Sequence, residues 1–167
     1  MATAMQIRRA TPGDAGLMLE IYSPIVEETA ISFELVAPSE ADFAKRIVST
    51  LATHEWLVMM SGDRLCGYAY GTPHRAREAY KHSVETTVYV SREFQSLGVG
   101  KRLYEALFAS LRALDYHNAY AGITMPNERS VALHKSIGFS PIGVFREVGF
   151  KKGQWHDVSW WQRAITS

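Results

Sequence analysis

The chain has 167 residues, and 18 Lys and Arg against 17 Asp and Glu leave a formal charge of +1. That balance excludes a general pull toward nucleic acid or anionic lipid, and the length suits one domain, 1–167, with a core of its own. A lone cysteine, Cys66, excludes an intrachain disulfide, the six histidines show no ligand spacing, and no apolar run nears the roughly 20 residues of a membrane span.

Residues 5–10 alternate weakly and read as a first strand. Thr11-Pro12-Gly13-Asp14 is turn and cap chemistry, opening an amphipathic helix to about Tyr22. Ser39 with Asp42 marks a second helix, with Phe43, Ile47 and Leu51 four apart on one face. Residues 56–60, the turn Ser61-Gly62-Asp63-Arg64 and residues 65–70 form a hairpin. Residues 74–80 are polar and helix-tolerant. Ser83–Val90, "SVETTVYV", is the most strand-like segment, with Val84, Thr86, Val88 and Val90 on one face. From Val99 the period turns helical, with Leu103, Leu107, Leu111 and Leu114 in one stripe. Residues 119–124 form another strand, Pro126-Asn127 opens a short helix, and Gly138 ends it. Two last strands, 142–148 and 156–163, join near Lys152-Gly153. The pattern predicts an α/β (α+β) mixed sheet with helices packed on it.

"QSLGVGKR", residues 95–102, stands between a strand and a long helix. A dinucleotide fingerprint would need glycine where Leu103 stands. A Walker loop would need glycine at Gln95 and Ser or Thr at Arg102. What remains is QxxGxG, in which amides near Ser96, Leu97, Gly98, Val99, Gly100 and Lys101 form a nest for a pyrophosphate without metal. A plain strand-to-helix turn is the structural alternative.

The surroundings favour the nest. "SVETTVYV", "QSLGVGKRL" and "NERSVALHKSIGF" together resemble the GNAT N-acetyltransferase family. "GTPHRAREAYKHSVETTVYV", "YHNAYAGITMPNERSVALHKSIGF" and "VGFKKGQWHDVSWWQ" are similar to its phosphinothricin acetyltransferase branch, so the resemblance spans nearly the whole chain. It implies a mixed sheet of about six to seven strands flanked by about four helices. It also implies acetyl-CoA as co-substrate, no metal, a small amino-acid-like acceptor, a homodimer and a cytoplasmic setting. The first nine residues lack the apolar core of a signal peptide, in keeping with the last point.

Acetyl transfer to an amine needs a proton acceptor, a stabilised oxyanion and an outlet for the thiolate. Glu85 is the candidate base: it shares a strand face with Thr87 and Tyr89, and the resembling branch gives the matching glutamate this role. An exposed edge glutamate is its bland alternative. The resemblance puts Val88, Tyr89 and Val90 along the pantetheine arm, and Asn127 as its hydrogen-bond partner, although Asn127 is equally a helix cap. His134 matches a histidine near the acetyl group; a structural histidine is the alternative. Phe139 stands where many members of the wider family carry an acidic tyrosine, so either the thiolate leaves unprotonated or another group such as Tyr104 or His134 serves it. For the acceptor, the branch implies Phe33, Arg75, Arg77, Tyr80, Glu85, Thr86 and Thr87, the two arginines pairing with an anionic group. Cys66 reads as a small buried hydrophobe, not an acyl carrier. Trp155-His156-Asp157 and Trp160-Trp161-Gln162 read as strand packing, with subunit contacts implied by the resemblance. A polyamine, an aminoglycoside or a protein N-terminus as acceptor, or a CoA-binding module without turnover, are the rival readings.

Overall fold

A computed structural model describes residues 4–166; Met1, Ala2, Thr3 and Ser167 lie outside the described residues, and with them the first three of the nine residues read against a signal peptide. Seven strands form one sheet in the order β1-β2-β3-β4-β5-β7-β6. They are β1 (Met5–Arg9), β2 (Trp56–Ser61), β3 (Arg64–Pro73), β4 (Ser83–Val90), β5 (Asn118–Thr124), β6 (Ser140–Lys151) and β7 (Gln154–Ala164). The α-helices are α1 (Ala15–Glu28), α2 (Glu40–Leu51), α3 (Val99–Ala113) and α4 (Glu128–Ser136). Only β4 and β5 pair in parallel; every other neighbour is antiparallel.

The alternation of β4 divides the interior. Val84 joins the buried cluster that α3 supplies with Leu103, Leu107 and Leu111, and Val88 and Val90 pack against it. Tyr89, on the other face, packs against the cluster of Met18, Tyr22, Val26, Phe43 and Ile47 from α1 and α2. Apolar residues on both faces explain why β4 reads as strand so clearly.

Three boundaries depart from the sequence pattern. Helix α1 runs to Glu28, straight through Pro24. Its buried stripe of Ala15, Met18, Tyr22 and Val26 continues past the proline, and that packing outweighs one missing backbone hydrogen bond. Residues 74–80 give no helix beyond a 3-10 turn at Glu78–Tyr80, because β3 extends to Pro73 to pair with Val84. The last two strands are longer than 142–148 and 156–163, meeting at Lys152 and Gly153 with φ of 54° and 72°. Gly138, φ 91°, follows α4 as expected of a residue just past a helix end.

Strand β1 is tied to the start of α1. Arg8 donates to both oxygens of Asp14 at 2.8 and 2.7 Å, and the Thr11 amide donates to the same carboxylate at 2.8 Å. The Arg8 guanidinium holds the Asp14 carboxyl below its usual range, so its stabilising effect is present at neutral pH and lost as pH falls through that lowered value. Asp14→Asn is expected to lose about 2 kcal/mol in urea unfolding at pH 7, the loss shrinking from about pH 5 toward pH 2. An equal loss across that range would show that the carboxylate charge is not what matters.

Candidate active site

Strands β4 and β5 pair at only three positions, Ser83 with Asn118, Val84 with Ala119 and Glu85 with Tyr120. Beyond Glu85 they part, while β3 follows β4 to Val90 and β7 follows β5 to Thr124. The β3–β4 register is unbroken, so the parting needs no bulge in β4. At the fork Thr86 Oγ1 lies 3.3 Å from the Tyr120 carbonyl, standing in for a ladder bond. The backbone groups that residues 86–90 turn toward the gap have no strand partner, and such groups call for a ligand or water.

Three cavities meet along this gap. One of about 620 Å³ lies over the glycine turn and includes Val88, Tyr89, Val90 and Asn127. One of about 460 Å³ includes Glu85, Phe33, Thr72 and Trp160. A junction of about 90 Å³ shares Val88, Tyr89, Asn127 and Ser130 with the first, and Thr86, Thr87, Gly122 and Thr124 with the second. Ile31 lines all three.

The glycine turn has the form its spacing suggested. Ser96 and Gly98 take φ of 65° and 76°, and Gly98 is the N-cap of α3. The Arg102 amide bonds the Gly98 carbonyl at 3.1 Å, leaving the Val99, Gly100 and Lys101 amides free of helical partners at the positive helix end. A Cβ on Gly100 would sit 3.0 Å from Leu133, so glycine lets α3 approach α4. Ser96, Gly98, Val99, Gly100 and Lys101 line the larger cavity, whereas the Leu97 side chain is 57% exposed and does not. Gln95 accepts a hydrogen bond from Arg129, tying the turn to α4. Asn127 caps α4, accepting from the Ser130 amide at 3.1 Å, and also lines the cavity.

Below the junction runs a polar chain. His134, buried, places Nδ1 2.7 Å from the Ser130 carbonyl, which can only accept. Nδ1 therefore carries the proton, and Nε2, 2.9 Å from the Tyr104 hydroxyl, accepts. Tyr104 in turn lies 3.4 Å from Thr86 Oγ1. Burial pushes the His134 imidazole below its usual range and the Tyr104 phenol above its own. Both groups are thus neutral in the resting site. Phe139 packs its ring on Tyr104, Phe108 and His134 at 5.8, 5.9 and 5.1 Å, excluding water from the chain.

Glu85 is half-buried opposite Thr72 of β3, and burial raises its pKa against the pull of Arg75. His74, which the sequence did not single out, brings Nδ1 within 3.8 Å of Glu85 Oε1 and stacks on Tyr120 at 4.7 Å. That nitrogen is buried without a hydrogen-bond partner. Arg75, Arg77 and Tyr80 are exposed and line none of the three cavities; Tyr80 packs edge-on to His74 at 5.7 Å. Ile31, Thr72 and Trp160 were also missed as site residues. Thr72 could have been found by laying residues 65–73 against Ser83–Val90. Trp160 owes its place to Gly122, where a Cβ would sit 3.2 Å from the indole. Cys66 is fully buried, lines none of these cavities, and burial pushes its thiol up.

Among the described residues no His, Cys, Asp or Glu group could hold a metal ion, and no helix is long and apolar enough to cross a membrane.

Residues 7–160 match the family model described as an acetyltransferase (GNAT) domain. The chain is 37% identical to a phosphinothricin N-acetyltransferase of Streptomyces coelicolor, covering 96% of each. It is 30% identical to an L-methionine sulfoximine/L-methionine sulfone acetyltransferase of Salmonella typhimurium, covering 95% of this chain and 93% of that one. The fold superimposes, with a TM-score of 0.90 and 32% identity, on the GNAT superfamily phosphinothricin acetyltransferase of Sinorhizobium meliloti solved with acetyl-CoA, covering 96% of this chain and 88% of that one.

The polar chain predicts one tautomer. Long-range ¹⁵N–¹H correlation spectra should show His134 neutral at pH 7 with the proton on Nδ1, and its titration displaced below the ordinary histidine value by burial. A proton on Nε2, or titration at an ordinary histidine value, would contradict the chain as drawn.

Proposed function

The chain belongs to the GNAT acetyltransferase family, and from that premise we propose that it moves acetyl from acetyl-CoA directly to the α-amino group of a small amino-acid analogue of the phosphinothricin or methionine sulfoximine and sulfone kind. The observation that carries this reading is the pair of cavities joined through the fork between β4 and β5. Two substrates entering from opposite sides meet there without a covalent enzyme intermediate. Buried Cys66, with its raised thiol, supports direct attack over a ping-pong route.

In this mechanism the free amides at the start of α3 and the Lys101 charge receive the pyrophosphate. Val88, Tyr89, Val90 and Asn127 lie along the pantetheine arm, and the acetyl group occupies the junction. The amine enters beside Glu85, Thr86, Thr87 and Phe33. Glu85 takes one proton from the ammonium and passes it to solvent, and the free amine attacks the thioester carbon. Unpaired amides of β4 face the oxygen as it gains charge. On collapse the C–S bond breaks and the carbonyl re-forms. Tyr104, turning its hydroxyl from His134 Nε2, gives its proton to the thiolate, and the second proton of the nitrogen restores the phenol. Arg75 acts on Glu85 through its charge and supports an anionic acceptor, with Arg77 and Tyr80 beside the entrance.

The same reading includes a cytoplasmic homodimer. Edge strand β6 leaves Ile142, Val144, Phe145, Val148 and Phe150 exposed, and Trp155 is 61% exposed beside them. Trp161 is in the core and Trp160 lines the cavity, so Trp155 is the tryptophan free for a subunit contact. Light scattering on the eluting protein should give about twice 18.7 kDa; a mass of one chain would remove the dimer.

Thiol release from acetyl-CoA tests the chemistry. Phosphinothricin, methionine sulfone and methionine sulfoximine should turn over, and spermidine and an aminoglycoside should not. Turnover of the cationic amines instead would overturn the acceptor class. Glu85→Gln is expected to lower kcat/KM by about 10²–10⁴ at pH 7 and by less at pH 9, where more of the amine is already free. Because burial raises the Glu85 pKa, the acid limb of the wild-type profile should lie above the usual carboxylate range. An unchanged profile in the variant would take the base role from Glu85.

A further inference from the structure

Lys151 ends β6 with its side chain buried, only 5% of the residue exposed. Its Nζ lies 2.7 Å from each of three carbonyl oxygens, those of Val26, Ser32 and Glu34. An ammonium has three N–H donors, so all three are used. Val26 lies in the last turn of α1, where carbonyls lack helical partners and the helix end is negative. Ser32 and Glu34 flank Phe33. Lys151 thus grips the segment on both sides of an aromatic side chain that lines the Glu85 cavity. The grip joins parts of the chain 117 to 125 residues apart.

Two further contacts set the same segment. The Phe33 ring rests on Gly149, where a Cβ would lie 2.3 Å from it. Arg46 donates to both Glu34 oxygens at 2.9 and 2.6 Å, and Tyr22 bonds the same carboxylate. Between these anchors, Ile31 and Phe33 cover the junction and the cavity. A lysine spent on three backbone carbonyls touches neither reacting group. Its effect is on where Phe33, held between the two gripped carbonyls, stands.

We propose that Lys151 is a positioning residue for the acceptor amine: by clamping residues 29–34 it fixes the roof of the Glu85 cavity and so sets acceptor affinity apart from acetyl-CoA affinity. The kinetic part rests on the acetyl-transfer reading, and the clamp on the three Lys151 hydrogen bonds alone.

Lys151→Met keeps the chain length and removes the donors. In this variant hydrogen exchange of residues 29–34 should speed up by about tenfold or more, with α3 unchanged. The KM for the acceptor should rise by about 10- to 100-fold, while that for acetyl-CoA stays within about threefold. A merely structural role would lower the amount of active protein and leave both KM values alone. Should Lys151→Met not fold, Lys151→Arg alters the clamp with its charge kept and should give the same split in KM. Unchanged exchange, or equal changes in both KM values, would overturn the proposal. If the wild-type protein acetylates no amine, the acetyl-transfer reading fails, and the exchange of residues 29–34 still decides the clamp.

Discussion

The parting of β4 from β5 after Glu85 is the constraint on which the rest of the molecule depends. A sheet that stayed paired through residues 86–90 would have no passage between its faces. The three-pair contact is long enough to hold the halves together and short enough to leave a gap. Each half is secured from outside, β4 by a full antiparallel register with β3 and β5 by one with β7. The fork is therefore rigid at both sides and open in the middle. That arrangement suits a reaction between two ligands that arrive from opposite faces.

A polar chain sits at the apex of this fork inside an otherwise apolar wall. Thr86, Tyr104, His134 and the Ser130 carbonyl satisfy one another in sequence, with the aromatic ring of Phe139 beside them. Buried networks of this kind are stable only when each member is paired, and here each is. Glu85 lies in a different setting, with one orphan imidazole nitrogen near it and an arginine charge acting on it. Two environments, one closed and paired, the other open and unpaired, hold apart the groups that would take a proton from those that would give one.

Much of this could be read from residue spacing. The helical stripe after Val99, the alternation of 83–90 and the paired glycines at 98 and 100 are local signals, and each produced the element expected of it. The fork was not readable, because it depends on how many residues β4 and β5 share, which is a property of strands far apart in the chain. Leu97 belongs to that spacing through its backbone amide, and its side chain is exposed. Arg75 and Arg77 were assigned by resemblance, and they stand outside the cavities because residues 74–80 form a turn on the rim. Lys151 was invisible for a different reason. Beside Lys152 and Gly153 it reads as an ordinary solvated hairpin end, and only tertiary packing buries it.

The chain order of the sheet has a consequence for how the protein comes into being. Strand β7 is inserted between β5 and β6, although it is the last strand in sequence. Val158 and Trp160 in the cavity wall, and Lys151 at the end of β6, thus follow every residue of the glycine turn in the chain. Strands β1 to β4 and both α1 and α2 are available to collapse earlier, on one side of the gap. The nascent chain can build the glycine turn well before it can close the cavity beside Glu85. The chamber beside Glu85 thus gains the wall made by Val158 and Trp160 only once β7 has joined the sheet.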